Sequence, residues 1–177
     1  MTKRHAADVT ELNEELAVTE AKTRTKQVFY WLFTLVIAWE MAAGAMWDLL
    51  RIKFVRDVFD HLGYPHYLLF IIGVWKLPCA LALLAPRFPR MKEWAYAGAF
   101  FNYTGAAASH LFAGDAAPQW LGPVIFAGMT LGSWALRPDE RRLSSTSAPS
   151  AVKPAHWIAA GVGGAAMVIL ALLTLPA

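Results

Sequence analysis

Residues 67–86 read YLLFIIGVWKLPCALALLAP, an apolar run that contains a single charged residue, Lys76. At a rise of 1.5 Å per residue, a helix of this length is about 30 Å long, which matches the hydrocarbon core of a bilayer. A membrane-spanning strand needs about half of this length and alternates in polarity, which this run does not. The run therefore predicts a membrane-spanning helix.

Four further apolar runs of similar length occur at residues 28–50, 94–113, 118–136 and 156–175. Over the whole chain, 57% of the residues are hydrophobic and 16% are charged, whereas soluble domains carry about 25% charged residues. The pattern disfavours a soluble enzyme and indicates an all-α integral membrane protein, a four-helix transmembrane bundle with a fifth transmembrane helix. The single cysteine, Cys79, excludes a disulfide within the chain and a cysteine-based metal site.

Composition divides the chain into four parts. Residues 1–26 carry five basic and five acidic side chains and are expected to form a solvated cytoplasmic tail. Residues 28–138 hold the predicted four-helix bundle. Residues 139–154 are rich in Ser, Pro and charge, which is typical of a flexible linker. Residues 155–177 hold the fifth predicted transmembrane helix.

Lys and Arg residues are distributed unequally between the two predicted sides of the membrane. The tail, the loop 87–93 and the segment 137–154 carry twelve of them, whereas the loop 51–66 carries three. Because cytoplasmic loops are rich in Lys and Arg, the N-terminus is expected in the cytoplasm and the C-terminus outside it. These residues lie at the edges of apolar runs rather than on one polar face, which argues against nucleic acid as a partner.

Several polar side chains lie inside the predicted spans, where a charge is costly and requires a partner. Glu40 and Lys76 lie about 18 and 16 Å from the cytoplasmic face, and we expect them to form an ion pair. Asp48 lies two turns beyond Glu40, and His110 is expected close to it. Asn102 lies on the third predicted span. These five residues are candidates for binding a small molecule or handling protons, and helix packing is the alternative role.

Two tryptophans, Trp39 and Trp75, lie near the predicted midplane, whereas the other six lie near predicted interfaces, where indole rings prefer to be. We expect these two to line an apolar pocket beside the polar residues. Glu93 begins the third span, where a carboxylate also complements the helix dipole. It is therefore a further candidate for small-molecule binding or proton handling.

The loop DVFDHLGYPHY at residues 57–67 holds two histidines and two aspartates. Together with His110, these side chains offer metal ligands, but their spacing matches no standard metal motif. No metal site is therefore predicted. A haem held by two histidines is also disfavoured, because His110 is the only histidine in the middle of a predicted span.

Three stretches occur in order along the chain: HLGYPHYLLFIIGVWKLPCALALLAPRFP at 61–89, KEWAYAGAFFNYTGAAASHLFAGD at 92–115 and SWALRP at 133–138. Together they resemble the DoxX-like family of small four-helix bacterial membrane proteins, with a similarity that extends over about residues 28–138. The resemblance implies that Glu40, Lys76, Glu93 and His110 correspond to residues of the family pattern. It also implies a location in the bacterial inner membrane. The charged tail and the fifth helix depart from the family pattern.

Two classes of function follow. The family's namesakes are membrane subunits associated with a thiosulfate:quinone oxidoreductase. The resemblance therefore implies a redox-linked subunit that binds a quinone-like or other apolar small molecule, among partners such as other membrane subunits or a second copy. An animal relative assembles membrane receptors, so the alternative is a non-enzymatic scaffold or assembly partner. Polar groups at similar depth favour the first class, and the lack of a nucleophile constellation favours the second. The residues leave open whether the chain is an enzyme.

Overall fold

The computed structural model describes residues 2–86 and 88–143, with side chains from residue 13 onward. Every regular element in these residues is helical: α1 (Thr2–Leu49), α2 (Lys53–Leu62), α3 (Tyr67–Leu84), α4 (Pro89–Phe112), α5 (Ala117–Ala135) and a 3-10 turn (Asp139–Arg141). The all-α prediction is confirmed for this part of the chain. The predicted fifth transmembrane helix and most of the predicted linker lie outside the described residues.

The four long helices pack side by side, and α3 and α5 each contact both α1 and α4. Ile37, Met41, Leu83 and Tyr103 are among the large side chains buried between them. We call the end where the apolar part of α1 begins the tail end, and the opposite end, next to α2, the α2 end. The chain therefore crosses between these two ends four times within the described residues.

The outside of the four helices is strongly apolar. Trp75, Trp94 and Phe112 are among many large apolar side chains that are exposed, and soluble proteins rarely show such continuous apolar surface. Two helices, the part of α1 within Asn13–Leu49 and α3, are long and apolar enough to cross a membrane. Both features are those of a chain surrounded by lipid.

The charged tail continues into the first apolar run as one helix. α1 has 48 residues, which corresponds to a length of about 72 Å. The tail contains no glycine or proline and holds four Glu, four Ala and three Lys, which are strong helix formers. Residues 13–29 are exposed, and the tail is helical from Thr2 onward. Its location in the cytoplasm stays a prediction.

A short helix, α2, lies where the sequence predicts only a loop. Its apolar residues Phe54, Val55, Val58, Phe59 and Leu62 recur at helical spacing and share one face. The helix ends at a glycine, residue 63, whose φ of 73° is the left-handed conformation common at helix C-termini. The loop between the first two predicted spans is therefore an amphipathic helix with a tight turn at each end.

Candidate functional site

A close approach of α1 and α3 positions the polar residues of the interior. A β-carbon at Gly73 would lie 2.9 Å from Leu49 Cγ and 3.1 Å from Asp48 Cβ, which is closer than side chains tolerate. The absence of a side chain at Gly73 therefore lets the two helices touch. Lys76 lies one turn further along α3 and faces the same helix.

Lys76 forms its ion pair with Asp48, with 2.9 Å between Lys76 Nζ and Asp48 Oδ2. Both side chains are largely buried, at 14% and 6% exposure. The contact is an ion pair rather than an aligned hydrogen bond, because Asp48 Oδ2 has no well-oriented donor among the described residues. Two opposite charges that are buried between α1 and α3 thus neutralise each other.

The predicted ion pair between Glu40 and Lys76 is therefore wrong. The backbones of Glu40 and Lys76 lie at similar depths, but helical side chains tilt toward the N-terminus of their own helix. The N-terminus of α3 lies at the α2 end, so the long side chain of Lys76 projects toward that end. Asp48, two turns beyond Glu40 along α1, is the carboxylate that it meets.

Glu40 has a different partner, the phenol of Tyr103 on α4, which donates a hydrogen bond to Glu40 Oε2. Glu40 still lies near Lys76, because a β-carbon at Gly44 would be 3.2 Å from Glu40 Oε1 and 3.0 Å from Lys76 Nζ. Glu40, Asp48, Lys76 and Tyr103 therefore form one group, which we call the interior cluster. Sequence reasoning missed Tyr103, although its spacing of seven from the buried Tyr96 marks the inner face of α4.

An apolar groove of about 610 Å³ lies beside the interior cluster, between α3 and α4. Its wall is made by Met41, Ile71, Ile72, Trp75, Pro78, Cys79, Ala82, Met91, Trp94, Ala95, Gly98 and Ala99, with Lys76 and Asn102 as the charged and amide residues. Of the two tryptophans predicted to line a pocket, Trp75 lines this groove. The structure does not place Trp39 there, because Trp39 lies on α1 and is not among the lining residues. The second tryptophan that lines the groove is Trp94.

His110 lies at the α2 end, and its partner is Asp115 rather than the predicted Asp48. His110 Nδ1 and His61 Nε2 each lie 2.7 Å from a different oxygen of the Asp115 carboxylate. Hydrogen bonds with His110 and with His61 hold the pKa of this carboxyl below its usual range. Sequence reasoning missed Asp115, and the available signal is its place three residues after a helix that has a histidine in its last turn.

The other loop histidine, His66, contacts Asp60 at 2.8 Å and stays within its own segment. In residues 13–86 and 88–143, no group of three or more His, Cys, Asp or Glu side chains is arranged to hold a metal ion. Of the histidines at this end, His61 and His110 share the Asp115 carboxylate, and His66 has Asp60 as its own partner.

Glu93 lies at the tail end, far from the interior cluster. Its carboxylate accepts hydrogen bonds from Arg137 Nη1 at 2.8 Å and from Trp134 Nε1 at 2.9 Å. The Arg137 guanidinium also lies 4.9 Å from the ring centre of Tyr96, a cation–π distance. Glu93 thus ties the start of α4 to the end of α5, and the structure does not bring it together with the other candidate residues.

The matched family is described as the DoxX-like family, and its sequence model aligns with residues 32–133. This range includes the apolar half of α1, the whole of α2, α3 and α4, and most of α5. The interior cluster, the groove and the Asp115 contacts all lie inside it. No curated protein and no solved structure matches the chain.

Proposed function

The chain belongs to the DoxX-like family, which with its apolar helices indicates a membrane protein, and we propose that it binds a small molecule in the groove between α3 and α4. The proposed ligand is quinone-like or another apolar molecule. The carrying observation is the groove itself. It combines an apolar wall with very few polar groups, which is the usual composition of a small-molecule site.

The polar residues of the groove indicate which ligands fit. The amide of Asn102 offers a hydrogen-bond donor for a carbonyl oxygen. The ammonium of Lys76 is paired with Asp48, so the groove holds no free positive charge for an anionic head group. The ligand that this arrangement favours is uncharged, flat and apolar, with a carbonyl acceptor.

The interior cluster supplies the proton-handling part of the proposal. Lys76 belongs to both places, because its side chain lines the groove while its ammonium contacts Asp48. Glu40 and Tyr103 are joined by a hydrogen bond, and Asn102 of the groove is the neighbour of Tyr103 in the chain. Glu40 also lies near Lys76 of the groove, because both side chains approach Gly44, and the proposal assigns proton handling to this pair. In this proposal the chain is a redox-linked subunit of the bacterial inner membrane.

Tryptophan fluorescence tests ligand binding, with a short-chain benzoquinone analogue as the probe. Wild-type protein should show a saturable quenching component, and Trp75→Phe should lower it because Trp75 is one of the two tryptophans that line the groove. The matched control is Trp39→Phe, since Trp39 is similarly exposed but does not line the groove. Asn102→Leu should weaken the apparent affinity about tenfold, the effect of losing about 1.4 kcal/mol from one hydrogen bond. Quenching that does not saturate, or that falls equally in both tryptophan variants, would contradict the proposal.

A scaffold role is the second candidate, and one face of α4 supports it. Trp94, Phe101 and Phe112 are strongly exposed, and their spacings of seven and eleven residues place them on one side of the helix. Contact with another membrane subunit would bury this face by van der Waals packing, since apolar side chains gain no hydrophobic driving force over lipid. Native mass spectrometry in detergent tests this role with the purified chain, because Phe101→Ala should dissociate an oligomer that uses this face. A wild-type chain that is monomeric at every concentration would remove the support.

A further inference from the structure

The groove between α3 and α4 has a buried floor and exposed rims. Among its lining residues, Met41 and Ala99 are buried, whereas Trp75 and Trp94 are 71% and 80% exposed. The groove therefore opens on the side of the four helices rather than into their interior. In a membrane protein this side faces lipid, so a ligand reaches the groove from the bilayer.

The groove is long compared with a single ring. Its lining residues on α4 recur every three or four positions from Met91 to Asn102, which is a helical stripe about 16 Å long. Because α4 begins at the tail end, Met91 marks the end of the groove nearest the tail end. Asn102 lies about midway along α4 and marks the other end. One aromatic ring would fill only part of this length.

The polar groups of the groove are confined to one of its halves. Asn102 lies at the end away from the tail end, and the side chain of Lys76 projects in the same direction. Beyond Lys76 toward the tail end, the described lining residues carry neither a charge nor an amide: Pro78, Cys79, Ala82, Met91, Trp94 and Ala95. One half therefore suits a polar head group, and the other suits a hydrocarbon chain.

Open space at Gly98 connects the two halves. Gly98 lines the groove and lies one helical turn from Asn102 in the direction of the tail end. A β-carbon at Gly98 would have no atom of another helix within 4 Å. A chain that starts at Asn102 can therefore pass Gly98 and continue toward Met91.

We propose that the groove takes an amphiphile of the bilayer with an uncharged carbonyl head and one long hydrocarbon chain. The ligand enters sideways from the lipid, its head lies at Asn102, and its chain runs past Gly98 toward Met91. This inference rests on the proposed function and adds the class and the orientation of the ligand. A phospholipid that lies the opposite way would place the end of its chain against the Asn102 amide, with which hydrocarbon forms no hydrogen bond.

A leucine at Gly98 tests whether a chain occupies the tail-end half. Tryptophan quenching is measured in lipid nanodiscs with two probes, a methyl-substituted and a decyl-substituted benzoquinone. Gly98→Leu should weaken binding of the decyl probe about tenfold, because the new side chain fills the path of the decyl chain. Binding of the methyl probe should change little, because the Asn102 end of the groove stays open.

The matched control is Gly128→Leu on α5. Gly98 and Gly128 are both exposed helical glycines with open space at the β-carbon, but Gly128 does not line the groove. The control should bind both probes like the wild type. Equal losses for the two probes in Gly98→Leu, or no loss for the decyl probe, would overturn the chain placement. If neither probe quenches saturably in the wild type, the proposed function fails as well.

Two photoreactive forms of the decyl probe test the orientation in the wild-type chain. A photoreactive group on the ring should label residues 71–76 and 99–102, whereas the same group at the end of the chain should label residues 78–82 and 91–95. The reverse pattern, which a phospholipid-like orientation predicts, would overturn the proposal and leave binding in the groove intact. The same adducts from both forms would overturn it too, and adducts outside the groove would also contradict the proposed function.

Discussion

Lys76 connects the groove with the interior cluster, because its side chain lines the first and its ammonium belongs to the second. A lysine in the middle of a membrane costs about 2.5–3.5 kcal/mol on insertion scales. The Asp48 carboxylate offsets this cost by ion pairing. The same pairing leaves the groove without a free charge, which is why an uncharged ligand fits it.

A double-mutant cycle tests the pair between Lys76 and Asp48. Lys76→Met or Asp48→Asn alone should destabilise the protein by about 3–5 kcal/mol, because each leaves one buried charge without a partner. The double variant should lose less than the sum of the two. Melting temperatures in detergent provide the measurement. The matched cycle of Lys76→Met with Glu40→Gln should show weaker coupling, and equal coupling in the two cycles would refute the assignment.

At the residue scale, the sequence predicts which side chains are unusual better than which of them meet. Glu40, Lys76 and Asp48 stand out because charged residues are rare in apolar runs, and the structure places all three in one cluster. Their pairing depends on side-chain direction, which a depth along the helix axis does not contain. Tyr103 is a common residue type in a buried helix face, so only the packing of α4 on α1 reveals its contact with Glu40.

Helix positions follow closely from hydropathy where the runs are long. The predicted spans 67–86 and 118–136 correspond to α3 and α5 within two residues at each end. α4 begins at Pro89, five residues before the predicted span at 94, because proline favours the first turn of a helix and charged residues continue it. α2 was not predicted, since ten residues are too few for a span. Its amphipathic spacing is the signal that identifies it.

At the element scale, the junction between α3 and α4 depends on Lys92. Its side chain is 1% exposed, and its ammonium donates hydrogen bonds to the carbonyl oxygens of Ala82 at 2.6 Å and Leu83 at 3.0 Å. These carbonyls belong to the last turn of α3, where helices leave acceptors without partners. Lys92 therefore caps α3 from the first turn of α4.

Lys92→Met should lower stability by about 1–3 kcal/mol, because two carbonyl groups lose their charged donor inside the protein. The control is Arg90→Met, which removes an exposed positive charge two residues away and should change the melting temperature little. Thermal denaturation in detergent compares the two. If both variants melt at the wild-type temperature, Lys92 does not cap α3.

At the scale of the whole molecule, composition and the family agree on a membrane protein. The family match covers residues 32–133, so residues 1–31 and 134–177 lie beyond it. The positions of α1, α3, α4 and α5 could be predicted because lipid requires long apolar helices. The groove could not, because a cavity depends on how two helices diverge.

Reporter fusions test the predicted topology of the whole chain. A reporter that is active only in the periplasm should be active when it is fused to the C-terminus. Twelve Lys and Arg residues favour the cytoplasmic side for the tail, loop 87–93 and segment 137–154. The fifth predicted span then carries the C-terminus across the membrane. The matched control is the same reporter placed in loop 87–93, which should be inactive. An inactive C-terminal reporter would mean that residues 155–177 do not cross the membrane.

Photolabelling with a benzoquinone analogue that carries a photoreactive group tests the central claim most directly, because it locates the ligand on the chain. Protein in lipid nanodiscs is illuminated with the analogue, digested and mapped by mass spectrometry. We expect adducts on residues 71–82 of α3 and 91–102 of α4, the two walls of the groove, and we expect an excess of unreactive analogue to suppress them. Adducts spread evenly over the lipid-exposed faces of all helices, or adducts that excess analogue does not suppress, would contradict a binding site in the groove.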